Sequence, residues 1–346
     1  MRLRIFFAWV GCLFVFVTGC AHGPASTVPG VTAESVRVYE RALARYRDGD
    51  YATALEAFDQ VLQTGPYPEA RGVWLHAYAA LAAGEADRAV ELGDVLLGAA
   101  SSRSEAYEFA AVARLFRGDP VGALAALKRA GELEGKSPRQ WIYRGLAYEM
   151  LGQSEERRIA CQKGDNDFAA TLANRPEDVV THLERASLLA HCGTSPVQLA
   201  RTLATAREQL PKMDAETAAV PPKRLQRFTL PILEGISSAA KGEAALAVPR
   251  VEEALGRGDD APKFDRAEAY YLAMRVAQSA GLTDQATKWE AEGKLLDPKG
   301  PFFGTFVKVA APEKKKPDAA LPPKPRKPSS IDDESPYDPH AEREEG

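Results

Sequence analysis

In the first half of the chain, small apolar residues, aromatics and glycines recur in one fixed order. Gly49-Asp50-Tyr51 is followed by Ala54, Phe58 and Pro66 and preceded by Tyr39, Ala42 and Tyr46. Gly84-Glu85-Ala86 has Trp74 and Ala77 before it and Ala89 after it, and Gly118-Asp119-Pro120 has Tyr107, Ala111, Ala123 and Ala130 around it. Gly152 closes a further segment carrying Trp141, Gly145 and Tyr148. These glycines lie 35, 34 and 34 residues apart, a period that marks a repeat array. Between them, apolar residues fall at helical spacing, which predicts two helices per repeat joined at the glycine. Glycine takes the left-handed conformation that ends a helix without a Cβ clash. Small residues mid-helix let two backbones approach, while the aromatics fill the space beside the contact. One such hairpin cannot bury its apolar face alone, so neighbours must stack.

The second half is less regular. Gly193, Gly242 and Gly281 mark three more turns at longer intervals. The last has Tyr270, Met274, Ala286 and Leu295-Leu296-Asp297-Pro298 at pattern positions. The sixth repeat has Gly235, Ala247 and Ala254 without aromatics, and the fifth, with Ala186 and Ala190, is weakest. Pro211 to Pro222 reads as a loop insertion. These offsets resemble the tetratricopeptide repeat family over residues 34–298. The resemblance implies an all-α, right-handed superhelical solenoid of six to seven repeats whose concave groove binds peptides or proteins. In that family, ligands usually touch the first helix of each repeat. Carried onto this chain, the groove positions are Tyr39, Leu43, Tyr46, Trp74, Tyr78, Glu108, Val112, Arg139, Ile142 and Tyr143. Aromatics with a few charges suit a helix or an extended peptide. The clustered lysines and asparagines that clamp a C-terminal carboxylate in some members are missing, which disfavours chaperone-tail recognition.

The two ends differ from the array. Arg2 and Arg4 precede an apolar run from Ile5 to Val17, too short to span a bilayer, in the layout of a secretory signal peptide. Val17-Thr18-Gly19-Cys20 resembles the lipobox of bacterial lipoproteins, in which the peptide is cut before the cysteine and the cysteine is acylated. The resemblance implies a signal peptide at 1–19, lipidated Cys20 and a tether at 20–33. Several acyl chains, at about 0.8 kcal/mol per buried CH₂, anchor stably. Ala21, where aspartate commonly signals retention at the inner membrane, favours the periplasmic face of the outer membrane. At the other end, Phe302, Phe303, Phe306 and Val307 suggest that 299–310 caps the array. Residues 311–346 hold Pro322-Pro323-Lys324-Pro325-Arg326-Lys327-Pro328 and then an acidic stretch, a composition expected to be disordered and to serve as a tether, a wall-reaching tail or a solubilising one.

Charge narrows the partners. Losing two arginines with the signal moves the formal charge from -4 to -6, which favours neither nucleic acid nor an anionic lipid surface. The expected partners are proteins of an envelope complex such as a pilus, secretion, motility or barrel-assembly machine. Peptidoglycan, reached through the tail, and its synthases or hydrolases form the alternative.

No cofactor and no enzymatic activity are expected. Ala130-Gly131-Glu132-Leu133-Glu134-Gly135-Lys136-Ser137 matches a relaxed phosphate-binding loop, but that chemistry needs a buried strand before it and a helix pattern stands there. No nucleophile elbow, zinc-protease helix or dinucleotide loop is found. The carboxylates lie mostly beside Lys or Arg on helices and read as solvated faces. Cys12 leaves with the signal, so Cys161 and Cys192 remain. If the helix of Cys161 turns back near Arg175-Pro176 into a helix ending at Cys192, the two sit at similar heights, and an oxidising compartment favours a disulfide. A metal site using them with His182 and His191 has no recognised ligand spacing.

Overall fold

In a computed structural model, all the described residues fall within one unit, which ends at Val309. The structure describes residues 28–133, 137–193, 195–214 and 222–304. The signal peptide, Cys20, most of the tether, Lys136, Phe306, Val307 and the 311–346 tail lie outside the described residues.

Among the described residues, fourteen helices form seven antiparallel hairpins: α1 (Ala33–Arg47) with α2 (Tyr51–Thr64), α3 (Gly72–Ala82) with α4 (Ala86–Ala99), α5 (Ser104–Arg117) with α6 (Pro120–Glu132), and α7 (Gln140–Met150) with α8 (Ser154–Asn174). The remaining pairs are α9 (Val179–Cys192) with α10 (Pro196–Gln209), α11 with α12 (Ala244–Leu255), and α13 (Lys263–Ser279) with α14 (Thr283–Leu296). Helix α11 runs continuously through Pro222–Arg224, a π turn at Leu225–Thr229, and Leu230–Ala240. Pro222, expected in a loop, instead opens this helix, a position where its missing N–H is no loss.

The local chemistry of each turn explains the hairpins. All seven turn glycines, from Gly49 to Gly281, have positive φ. In two hairpins the next residue is aspartate, and its side chain caps the second helix: Asp50 accepts from the Thr53 N–H, and Asp119 from the Gly122 N–H at 2.8 Å. Asp178 does the same for α9 through the Thr181 N–H. Such caps satisfy N–H groups that a helix start leaves without partners and each contributes about 1 kcal/mol. The small mid-helix residues Ala42, Ala77, Ala111, Ala54, Ala89 and Ala123 are fully buried.

First helices pack on first helices along the array, α5 on α7, α7 on α9, α9 on α11 and α11 on α13. Helix α13 also meets α3, so the last hairpin returns to the beginning. A Cβ on Gly49 would lie 3.0 Å from the Asp260 carbonyl oxygen, and one on Gly118 would lie 2.9 Å from that of Lys299. Two apolar cores result. The first joins hairpins one to four with Phe264, Ala267, Phe302 and Phe303 from the chain's far end, and the second fills hairpins five to seven.

The described part of the expected cap, residues 299–304, folds back on the last hairpin. It forms a wedge. Phe302 lies 5.9 Å from Phe116 of α5 and 5.7 Å from both His191 of α9 and Tyr271 of α13, measured between ring centres. Phe303 seats on Gly293, where a Cβ would collide with its ring at 2.2 Å. The Asp297 carboxylate accepts the Phe302 N–H at 2.9 Å and fixes the turn.

Closure predicts unequal costs for equivalent glycines. Gly118 (φ 86°) and Gly152 (φ 68°) both occupy the left-handed region, but nothing lies within 4 Å of a Cβ at Gly152. Gly152→Ala is expected to cost about 1–2 kcal/mol, the left-handed penalty alone. Gly118→Ala should cost measurably more, because backbone at Lys299 must move. Urea unfolding of the two variants compares them; equal midpoints would count against close docking at this turn.

Candidate functional site

The groove positions expected on the first helices are mostly interior. Tyr39, Trp74, Glu108, Val112, Arg139, Ile142 and Tyr143 are buried, and Leu43, Tyr46 and Tyr78 half-buried. Tyr39 meets Phe58 and Tyr67 edge-on at 5.9 and 6.4 Å, and burial pushes its hydroxyl up to about 12. Arg103 lies over Trp74 at 5.3 Å. Tyr46 packs on Tyr51, and Tyr78 on Phe109 at 4.9 Å. Burial also raises the Tyr143 hydroxyl. Five of the ten positions, Tyr78, Glu108, Val112, Arg139 and Tyr143, do share one narrow cleft of ≈ 20 Å³. The aromatics fill space between helices, as apolar rings do wherever neighbours offer contact.

Charged residues line the seam between the first helices: Arg139 and Glu108 from the expected groove positions, and Glu184 and Glu268, which the sequence did not single out. Arg139 donates to Glu184 from Nε at 3.1 Å and from Nη2 at 2.5 Å, with the two side chains only 4% and 6% exposed. Ser187 and His191, further along α9, meet Glu268 of α13 at 2.6 and 2.8 Å. Glu108 accepts the Ser137 N–H at 3.3 Å. These carboxylates belong to a buried seam, not to solvated faces. The spacing of Glu184, Ser187 and His191 along α9, and of Asp265 and Glu268 along α13, was the available signal, since three- and four-residue steps share one helix face.

Between α9, α11 and α13 the seam opens into a pocket of ≈ 70 Å³. Leu183, Leu225, Phe228, Leu233 and Leu272 form its apolar wall. Glu184, Ser187, Arg224, Asp265 and Glu268 form its polar side. Arg224 is buried, and its positive charge acts on the Tyr51 hydroxyl of the first hairpin. Asp265 Oδ1 has no hydrogen-bond partner.

Cys161 and Cys192 form a disulfide with Cα atoms 6.0 Å apart, joining α8 to the end of α9. Two arginines reach the same end: Arg157 donates to the His191 carbonyl, and Arg275 to that of Ala190 at 2.9 Å. Cations at a helix C-terminus complement its partial negative charge. The bridged cysteines cannot ligate a metal, His182 Nε2 bonds to the Pro176 carbonyl, and His191 faces Glu268. Among the described residues no group of three or more His, Cys, Asp or Glu is placed to hold a metal. The phosphate-loop text follows helix α6, not a strand. No described helix is long and apolar enough to cross a membrane.

Buried titratable groups set the pH response. Burial, in each case the largest cause, holds Glu108 and Asp265 up to about 7 and Asp297 up to about 6. Burial pushes His76 down to about 4, against the attraction of Asp59. A carboxyl raised on folding contributes stability that is full below its unfolded pKa and lost as pH rises through the folded value. A lowered histidine contributes above its unfolded value of about 6.5 and loses that contribution as pH falls. Three groups outweigh one. Thermal unfolding is therefore expected at a higher temperature at roughly pH 5.5 than at about pH 8, with a smaller difference in Glu108→Gln. A flat profile, or one rising toward alkaline pH, would contradict this.

The hairpins, their left-handed glycine turns and their stacked first helices define the class: an all-α solenoid of the tetratricopeptide type. No family profile and no curated protein matches the chain. Among solved structures, a tetratricopeptide repeat protein from Parabacteroides merdae is similar at 15% identity and a TM-score of 0.44, covering 77% of this chain and 94% of that one. The APC/C hetero-tetramer Cut9-Hcn1 is similar at 13% identity and TM-score 0.45, over 75% of this chain and 46% of that one. PilW, a type IV pilus biogenesis factor, is similar at 13% and 0.31, over 79% and 98%.

Proposed function

We propose that the chain is a protein-binding scaffold, held by acylated Cys20 at the periplasmic face of the outer membrane, where it assembles an envelope machine. The observation that carries the binding role is the seam where the first helices meet. It combines apolar walls with charged groups and opens into a pocket, the arrangement that orients a ligand by a few polar contacts. The lipobox-like Val17-Thr18-Gly19-Cys20 carries the anchoring. An alkyne fatty acid fed to cells should label the wild-type chain and leave Cys20→Ser unlabelled. Absence of label from the wild type overturns the anchor. Crosslinking in cells through a photoreactive residue at Tyr78 should trap one recurring envelope protein, and recovery of none overturns the scaffold.

A basic run at Lys324-Pro325-Arg326-Lys327 favours a second reading, in which the tail reaches the wall and the array regulates peptidoglycan synthases or hydrolases. Cosedimentation of the full chain with purified peptidoglycan, lost on truncation at residue 311, would support it.

A further inference from the structure

We propose that the pocket between α9, α11 and α13 receives one lysine or arginine side chain of a protein partner, with the alkyl stem on the apolar wall and the charged end at Asp265. The inference rests on the scaffold reading and names the chemistry of the partner.

Charge is the first argument. Glu184 is held by Arg139, and Glu268 by Ser187 and His191. Arg224 lines the same pocket as Asp265, and its charge favours ionisation of both Asp265 and Tyr51. The pocket's three carboxyl groups, with Glu108 beside them, draw on two guanidinium groups, and Asp265 keeps one oxygen without a hydrogen bond. A buried acceptor without a partner costs about 1–3 kcal/mol. An incoming cation supplies the missing donor. An acidic group would add to the repulsion, and a purely apolar one would leave the oxygen unsatisfied.

Shape is the second. The long stems of lysine and arginine bury along apolar surface while their ends stay polar. Leu225, Phe228 and Leu272 offer that surface beside Asp265. The π turn Leu225–Thr229 contributes three wall positions, Leu225, Phe228 and Thr229. Such turns insert an extra residue and occur often at functional sites. Burial holds the Asp265 carboxyl up to about 7, chiefly against Arg224. A cation that ionises it releases a proton, so affinity should rise between about pH 6 and pH 8.

The test uses the full chain with methyl-labelled leucines and three probes of one length: n-hexylammonium, n-hexanol and hexanoate. At about pH 8 the ammonium should shift the Leu225, Leu233 and Leu272 methyls and bind roughly tenfold tighter than the alcohol, the difference a charge-assisted hydrogen bond makes. That preference should shrink at about pH 6 and vanish in Asp265→Asn, with alcohol binding retained. Ala269→Leu, which fills the pocket and leaves its charges, should abolish binding of all three. Equal binding of the probes, preference for hexanoate, or a preference that persists in Asp265→Asn overturns the proposal. In cells, a partner trapped equally by wild type and Asp265→Asn overturns it while leaving the scaffold standing. Recovery of no partner from the wild type strikes the scaffold, and the probe comparison still decides the pocket.

Discussion

Arg139→Met is expected to lower the stability of the chain by about 3–5 kcal/mol. The guanidinium sits in the seam with almost no solvent contact, and Glu184 faces it equally buried. Moving two such ions out of water is costly, and their attraction in a poorly polarisable interior roughly balances that cost. The intact pair therefore adds little net stability. Removing one member is different, because the other remains desolvated without its counter-charge. Glu108 and Asp265 feel the same guanidinium and would both shift further from ionisation. The double variant Arg139→Met/Glu184→Gln should recover much of the loss. Urea unfolding of the four combinations measures this as a coupling energy. A single variant within about 1 kcal/mol of wild type would contradict the buried pair, since that is the range of an exposed one.

Phe302→Ala should cost about 3–5 kcal/mol, the usual range for truncating a buried phenylalanine. The ring is 7% exposed and touches three hairpins that are distant in sequence. Its loss would empty the contact through which the last hairpin holds the third and fifth. Hydrogen exchange should then quicken in α13 and α14 more than in α1 and α2, because protection follows the local free energy of opening. Uniform exchange with unchanged stability would show that the wedge does not hold the array closed.

Most of the secondary structure was legible because its causes are local. A glycine that must be left-handed, an aspartate that caps the next helix and a small residue at a helix crossing all act within one hairpin. Even the fifth hairpin, which lacks the aromatic signature, forms on Ala186, Ala190 and the Asp178 cap. Closure was not legible. Gly118 and Lys299 meet across most of the array, and no periodic signal encodes a contact between its two ends. The burial of most of the expected groove positions was equally out of reach. Trp74, Ile142 and Tyr143 looked like a docking surface because the pattern says which helix face they occupy but not what covers it. Glu184, Glu268 and Asp265 looked solvated because each has a basic residue nearby in sequence, although the partners that matter in the fold are remote or absent. The wedge shows both sides: Phe302 and Phe303 were evidently apolar enough to bury, and only the fold specifies where.

An open stack of hairpins can gain or lose a unit and remain an open stack, so such proteins vary freely in number of units over evolutionary time. A stack whose seventh unit must grip the first three has no such freedom. Lys263 lies against Gly84 as Lys299 does against Gly118; inserting or deleting one hairpin would rotate both lysines away, and the grip would be lost rather than weakened. Descendants of this gene should therefore keep seven units while drifting widely in sequence, and gain or lose residues only in the connections between them.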